Sequence, residues 1–163
     1  MFGLDDLDTF TIAFFVVLPL VTFIHELGHL VFARLFGCRK LRLCLGHGRL
    51  LVRLGIIELR SLWFWHGFCD REDLPQQRKV AQMFIYLGGP LFNMTSFLLL
   101  DKLIKGGMVE PSPFVYQFSY FSFYLLFFAL FPMRFPDGTT NDGQAILDLI
   151  REWKKMKKAG HSA

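Results

Sequence analysis

Residues 25–29 read His-Glu-Leu-Gly-His. On a helix, positions i and i+4 share one face, so the imidazoles of His25 and His29 can reach a single metal ion. Two neutral imidazole nitrogens suit zinc, and the pattern predicts one Zn2+ per chain. Glu26 stands beside the first ligand and can take a proton from water held at the metal, the part of the base in metal-assisted hydrolysis. The same five residues can arise by chance in a soluble helix. Here they lie inside an apolar stretch running from about residue 10 to 36. Ionisable side chains are costly in such a stretch and need partners, and a metal ion is the simplest partner for three of them.

Tetrahedral zinc needs a third protein ligand, and a carboxylate is the expected type. His47 and His66 fall in a strand-like region and His161 in the tail. The loop after the last apolar stretch offers Asp137-Gly138 and Asp142-Gly143. Asp142 is favoured because a helical pattern, Gln144-Ala145-Ile146-Leu147, follows at once and anchors its backbone. Asp137 remains the alternative, in a looser Pro-flanked part of the loop. Either could instead be an ordinary turn or cap residue. A second apolar stretch contains Gly88-Gly89-Pro90-Leu91-Phe92-Asn93. Glycine and proline inside a span loosen the backbone and allow close approach of helices. Gly89, Pro90 and Asn93 are read as the substrate side of the site. Asn93 either binds the substrate backbone or its oxyanion, or makes a plain interhelical hydrogen bond.

The elements that must position these residues follow from hydropathy. Three stretches, about 10–36, 80–104 and 114–131, each approach the ~20 residues that span a bilayer as a helix. Apolar residues are 53% of the chain and 20 residues are Phe, more than a soluble domain of this size can cover, whereas acyl chains cover Phe readily. Between the first two spans, residues 40–68 partly alternate polar and apolar, with Gly46, Gly48, Gly55 and Gly67 as breaks, which predicts two to four short strands. Residues 70–79 read as a polar linker. Residues 143–158 predict an amphipathic helix with Ile146, Leu149, Ile150 and Trp153 on one face. The expected fold is therefore mainly α and polytopic: a three-helix membrane core, a small β region after the first helix, and a C-terminal helix, in one domain over 1–163. Cys38, Cys44 and Cys69 form no close pair and read as small apolar residues.

Net charge is +4, and its distribution indicates topology. No Lys or Arg precedes Phe10, nine lie between Phe36 and Lys79, two in the 101–113 loop, and six from Pro132 onward. The positive-inside rule then puts the N-terminus outside and the strand region and tail in the cytoplasm. Acidic Asp5, Asp6 and Asp8 do not look like the start of a cleavable signal. The basic residues form no nucleic-acid recognition module, so the expected partners are the lipid bilayer and not nucleic acid. Compactness points to a bacterial plasma membrane.

His25 to His29, Gly88 to Asn93 and the Pro132…Asn141-Asp142-Gly143 region, on separate elements and in this order, resemble the site-2 protease family of intramembrane zinc metalloproteases, in a compact form without a PDZ domain. The strand region, Leu45-Gly46-His47-Gly48 followed by Glu58-Leu59-Arg60, resembles that family's sheet. The resemblance implies a zinc site buried below the cytoplasmic surface and cleavage of transmembrane protein substrates in regulated intramembrane proteolysis. It implies His25, His29 and Asp142 as ligands, Glu26 as base and Asn93 as a substrate-site residue. One departure is Ala129, where the family often has Asn three residues before the proline matched by Pro132. The competing reading is a catalytically silent membrane protein of the same fold that binds a partner or acts as a chaperone. Glu26 speaks against it, since a silent protein has no use for the base. The aromatic segment Leu62-Trp63-Phe64-Trp65 is either an open strand edge for an extended substrate or an interfacial anchor.

Overall fold

A computed structural model describes residues 4–71 and 79–160. The first span is one continuous helical rod in three parts: α1 (Leu4–Ile12), a π turn (Ala13–Val17) and α2 (Leu18–Leu35). Proline at position 19 has no N–H, so the carbonyl four residues earlier, that of Phe15, lacks its α-helical donor. The Trp63 indole donates to that carbonyl at 3.2 Å. At the far end α2 stops in a Schellman motif. Gly37 has φ +96°, its N–H donates to the Arg34 carbonyl, and the Cys38 N–H donates to the Ala33 carbonyl.

Two strands follow, β1 (Leu41–Leu54) and β2 (Ile57–Arg71), joined by a turn in which Gly55 has φ +61°. They form a two-stranded antiparallel sheet of irregular register. Leu41 to Leu45 face Arg71 to Gly67, Leu43 to Leu45 also face Ile57 to Leu59 on their other edge, and Leu50 to Leu54 face Arg60 to Ile57. The bends fall where the sequence has glycine: Gly46 and Gly48 both have positive φ. The sheet thus consists of two long bent strands that reach Arg71. Asp70 and Arg71 belong to it, with Arg42 paired to Asp70 at 3.0 Å, so the polar connection is shorter than the 70–79 linker predicted from sequence. Residues 72–78 of that linker lie outside the described residues.

The second span is α3 (Lys79–Lys105) and the third is α4 (Pro113–Leu130), started by the Ser112 hydroxyl, which accepts from the Val115 N–H, and by Pro113 in the first turn. Helices 7–35, 79–105 and 113–130 are each long and apolar enough to cross a membrane. The chain is therefore mainly helical with three membrane-length helices, a small sheet after the first and a C-terminal helix α5 (Asp142–Gly160), as the pattern predicts. α2 and α3 cross at Gly28 and Gly88, where a Cβ on either glycine would run into the other's backbone. Small residues at a crossing allow this approach. The packed core is thin: Ala33, Cys38, Leu41 and Ile85 form its centre. Tyr120, Phe123 and Phe127 of α4 point outward and exposed, as suits a surface bathed in acyl chains.

Candidate metal centre

His25 and His29 stand one turn apart on α2, both buried. Each is fixed by α3 through the ring nitrogen that faces away from its partner. His29 Nδ1–H donates to the Ile85 carbonyl at 2.8 Å. A carbonyl can only accept, so in the neutral ring the lone pair is on His29 Nε2. His25 Nδ1 meets the Asn93 amide at 3.1 Å. Asn93 is fully buried, and its Oδ1 has no partner among the described residues. Turning the amide by half a rotation lets Oδ1 accept from His25 Nδ1–H, which leaves the lone pair on His25 Nε2 as well. The same arrangement of outer partners orients histidine ligands in metal sites generally.

The two Nε2 atoms are 3.2 Å apart, and Asp142 Oδ2 lies 3.2 Å from His25 Nε2 and 3.3 Å from His29 Nε2. Burial works to raise the Asp142 carboxyl; when the rings are also protonated at Nε2, hydrogen bonds and charge from His25 and His29 outweigh it and hold the group below the usual carboxylate range, and when the rings are neutral the two Nε2 lone pairs are free for a metal. Three electron-pair donors thus converge on one small space. Ligands about 2.0–2.1 Å from a tetrahedral zinc would stand about 3.3 Å from one another, so the triangle has the size zinc requires. Space for the ion comes from Gly89: a Cβ there would lie 2.5 Å from both Nε2 atoms. Among the described residues, His25, His29 and Asp142 are the group of three ligand side chains close enough to share an ion. The donor set fits zinc.

Asp142 is carried by a network that sequence reading did not isolate. Asn141 Oδ1 accepts from the Gln144 N–H at 3.1 Å, capping α5, and from the Met133 N–H at 3.0 Å. Its Nδ2 donates to the carbonyls of Phe128 and Phe131 at the end of α4. Gly143 packs directly on the Leu130 backbone, where any Cβ would clash. The first turn of α5 is therefore pinned to the last turn of α4, with Asp142 between Asn141 and Gly143. Asp137 lies elsewhere, in an exposed turn where its carboxylate accepts from the Thr139 N–H and hydroxyl. His47 and His66 sit on the sheet outside the triad, and His161 is outside the described residues.

Glu26 is buried beside the triad, under the sheet. Gly67 of β2 sits against it, since a Cβ on Gly67 would come 3.0 Å from Glu26 Cγ and 2.8 Å from Thr22 Cγ2. Leu45 faces Leu59 on one edge and Gly67 on the other, and His47 faces Leu62, so residues 63–66 carry β2 from one edge of β1 to the other. Phe64 packs on Phe14 and Phe15 of the first span. The structure brings together the expected His25, His29 and Asp142, with Glu26, Gly89 and Asn93 around them. Sequence reading gave no role to the Ile85 carbonyl, the Gly28 crossing, the Asn141 cap or the contact of Gly67. Asn141, a cap residue just before a helical pattern, carried a local signal; the Ile85 carbonyl carried none.

The chain thus has three helices of membrane length and a convergent His, His and Asp able to share an ion. The family model of Peptidase family M50 matches residues 13–104, and the chain belongs to that family, that of the site-2 proteases. A Bacillus subtilis (strain 168) protein described as "Uncharacterized membrane protein YwmF" is 38% identical over 151 residues, covering 93% of this chain and 94% of its own length. No solved structure matches.

Proposed function

We propose that the chain is an intramembrane zinc metalloprotease that hydrolyses peptide bonds of transmembrane or membrane-associated proteins. The observation that carries this reading is the triangle of His25 Nε2, His29 Nε2 and Asp142 Oδ2, with edges of 3.2, 3.2 and 3.3 Å, two of its corners on a helix of membrane length. These three residues would hold one Zn2+ per chain. Zinc bound there supplies a Lewis acid that polarises a carbonyl and brings the pKa of water towards ~7. Glu26 takes the proton from the attacking water and hands it to the leaving amide nitrogen. Asn93 and the Ile85 carbonyl keep both Nδ1 atoms occupied, so the ligand nitrogens stay aimed at one point. Gly89 keeps that point open. The sheet lies over Glu26 through Gly67 and shields the base from bulk water. An extended peptide needs backbone partners in a dry site. The aromatic segment 63–66, which ends beside Glu26 at Gly67, is the stretch of β2 on which such a substrate would align.

The distribution of Lys and Arg supports an N-terminus outside and a cytoplasmic tail. The test is Glu26→Gln in proteoliposomes with single-span substrates. Zinc content by elemental analysis stays at about one per chain, while cleavage falls by about 10²–10⁴-fold, the usual worth of a general base. Undiminished cleavage by this variant would refute the role of Glu26. A zinc-loaded wild type that cleaves no single-span substrate would favour the silent, partner-binding reading.

A further inference from the structure

The C-terminal half of α5 has a surface that the metal site does not use. From Asp142 to Glu152 the helix is held at every turn: by the Asn141 cap, by Arg134 to Asp148 at 2.6 Å, and by Lys79 to Glu152 at 2.6 Å. Lys79 is the first residue of α3. Ten residues of α5 rise about 15 Å, and the ten residues of α3 from Gly89 back to Lys79 rise about the same. α5 therefore runs back along α3, from the depth of the triad to the end of the second span. Beyond Glu152 it overruns that end by about 12 Å.

Two features change at that point. The apolar stripe of Ile146, Leu149 and Ile150, part-buried to buried, continues as Trp153 and Met156, which are 43% and 53% exposed. The charge turns wholly basic: Lys154, Lys155, Lys157 and Lys158 follow, with no acidic residue from Trp153 to the C-terminus. Lys157 lies over the Trp153 ring at 4.6 Å. Among the described residues Lys154 and Lys155 have no acidic partner. An exposed tryptophan level with the end of a span, backed by clustered lysines on an amphipathic helix, fits the headgroup layer of a bilayer. Such clusters attract acidic lipids, and the attraction fades within a Debye length.

We infer that residues 153–158 form a docking surface for acidic phospholipid headgroups, fastening the end of α5 to the bilayer surface. This goes beyond the proteolytic reading and stands without it. The test uses the full chain in nanodiscs, one copy per disc, of phosphatidylcholine alone or mixed equally with phosphatidylglycerol. Amide hydrogen exchange of residues 153–158 slows on the order of tenfold in the acidic discs and returns to the neutral-disc rate in high salt. A variant with Lys154→Gln, Lys155→Gln and Lys157→Gln, all exposed and remote from the triad, exchanges alike in both lipids. Equal exchange of the wild type in the two discs, equal lipid response in the triple variant, or protection only in discs holding two copies would each overturn the inference.

Discussion

Gly89→Ala asks whether the space between the histidines is a metal site. The added Cβ would lie 2.5 Å from both His25 Nε2 and His29 Nε2, and ordinary contact begins at 3.4 Å. Each nitrogen would have to retreat by the difference, 3.4 − 2.5 = 0.9 Å. Ligand distances in metal sites hold to about 0.2 Å, so the shift is several times what coordination tolerates. The retreat is resisted on the other side of each ring by the Ile85 carbonyl and the Asn93 amide. Zinc affinity should fall at least about 100-fold, more than the loss of one outer partner costs. Helix α3 itself should not suffer, because alanine is better than glycine in a helix by about 1 kcal/mol. The assay pairs elemental analysis and chelator competition with thermal melting of helical circular dichroism. Gly28→Ala is the contrast: its Cβ meets the Gly88 carbonyl, backbone against backbone, so it should lower the melting temperature by opening the helix crossing. Gly89→Ala protein that binds one zinc with wild-type affinity would refute the reasoning.

Further outcomes follow from the same geometry. Asp142→Ala should weaken zinc binding by at least about 100-fold, whereas Asp137→Ala, in its exposed turn, should shift it by less than about threefold; a zinc titration giving the reverse order would move the ligand role to Asp137. Asn141→Asp keeps the acceptor but loses both donors to the Phe128 and Phe131 carbonyls, so thermal melting should show a loss of about 2 kcal/mol; an unchanged melting temperature would count against the network. Burial pushes the Cys69 thiol up to about 12, above its usual 9.0, and Cys38 and Cys44 are buried. The reactive form is the thiolate, and a raised pKa leaves roughly 10⁻⁴ of Cys69 in that form at pH 8. Iodoacetamide at that pH should label none of the three in the folded protein and all three in denaturant, with Cys69 labelling rising as pH approaches 12; fast labelling at pH 8 contradicts the burial.

What the sequence disclosed, and what it hid, divides by range. His25, Glu26 and His29 are legible because an i, i+4 spacing is local and its chemistry is carried by side chains. The choice of Asp142 over Asp137 as the candidate was legible because a helix begins at Asp142, and a helix start fixes a backbone. The spans were legible because apolar length is local too. The extent of the sheet was not: its alternation fails at Gly46–Gly48 and again through the aromatic run 62–65, yet the strands continue through both on bends that only pairing reveals. The partners of the histidines were hidden for a different reason. Ile85 acts through its carbonyl, which every residue has, and Gly28 acts by lacking a side chain where another helix crosses. Such contributions depend on where α2 meets α3, and a single chain's pattern does not state a crossing point.

That crossing explains how so short a chain can organise a buried polar triad. Ile85, Gly88, Gly89 and Asn93 recur at helical spacing and so line one face of α3. Each does something different there: a carbonyl for His29, a contact for Gly28, an opening between the Nε2 atoms, an amide for His25. None adds much apolar area to the core. A soluble helix with such a face would need its remaining apolar surface covered by further protein. Here that surface includes exposed Phe84, Leu98 and Leu99 on α3, and Phe123 and Phe127 on α4, which acyl chains can cover at no cost in chain length. The bilayer takes over the covering that a larger core would perform in water. One face of α3 is thereby free to be small and polar, and the His, His, Asp triad is assembled against it.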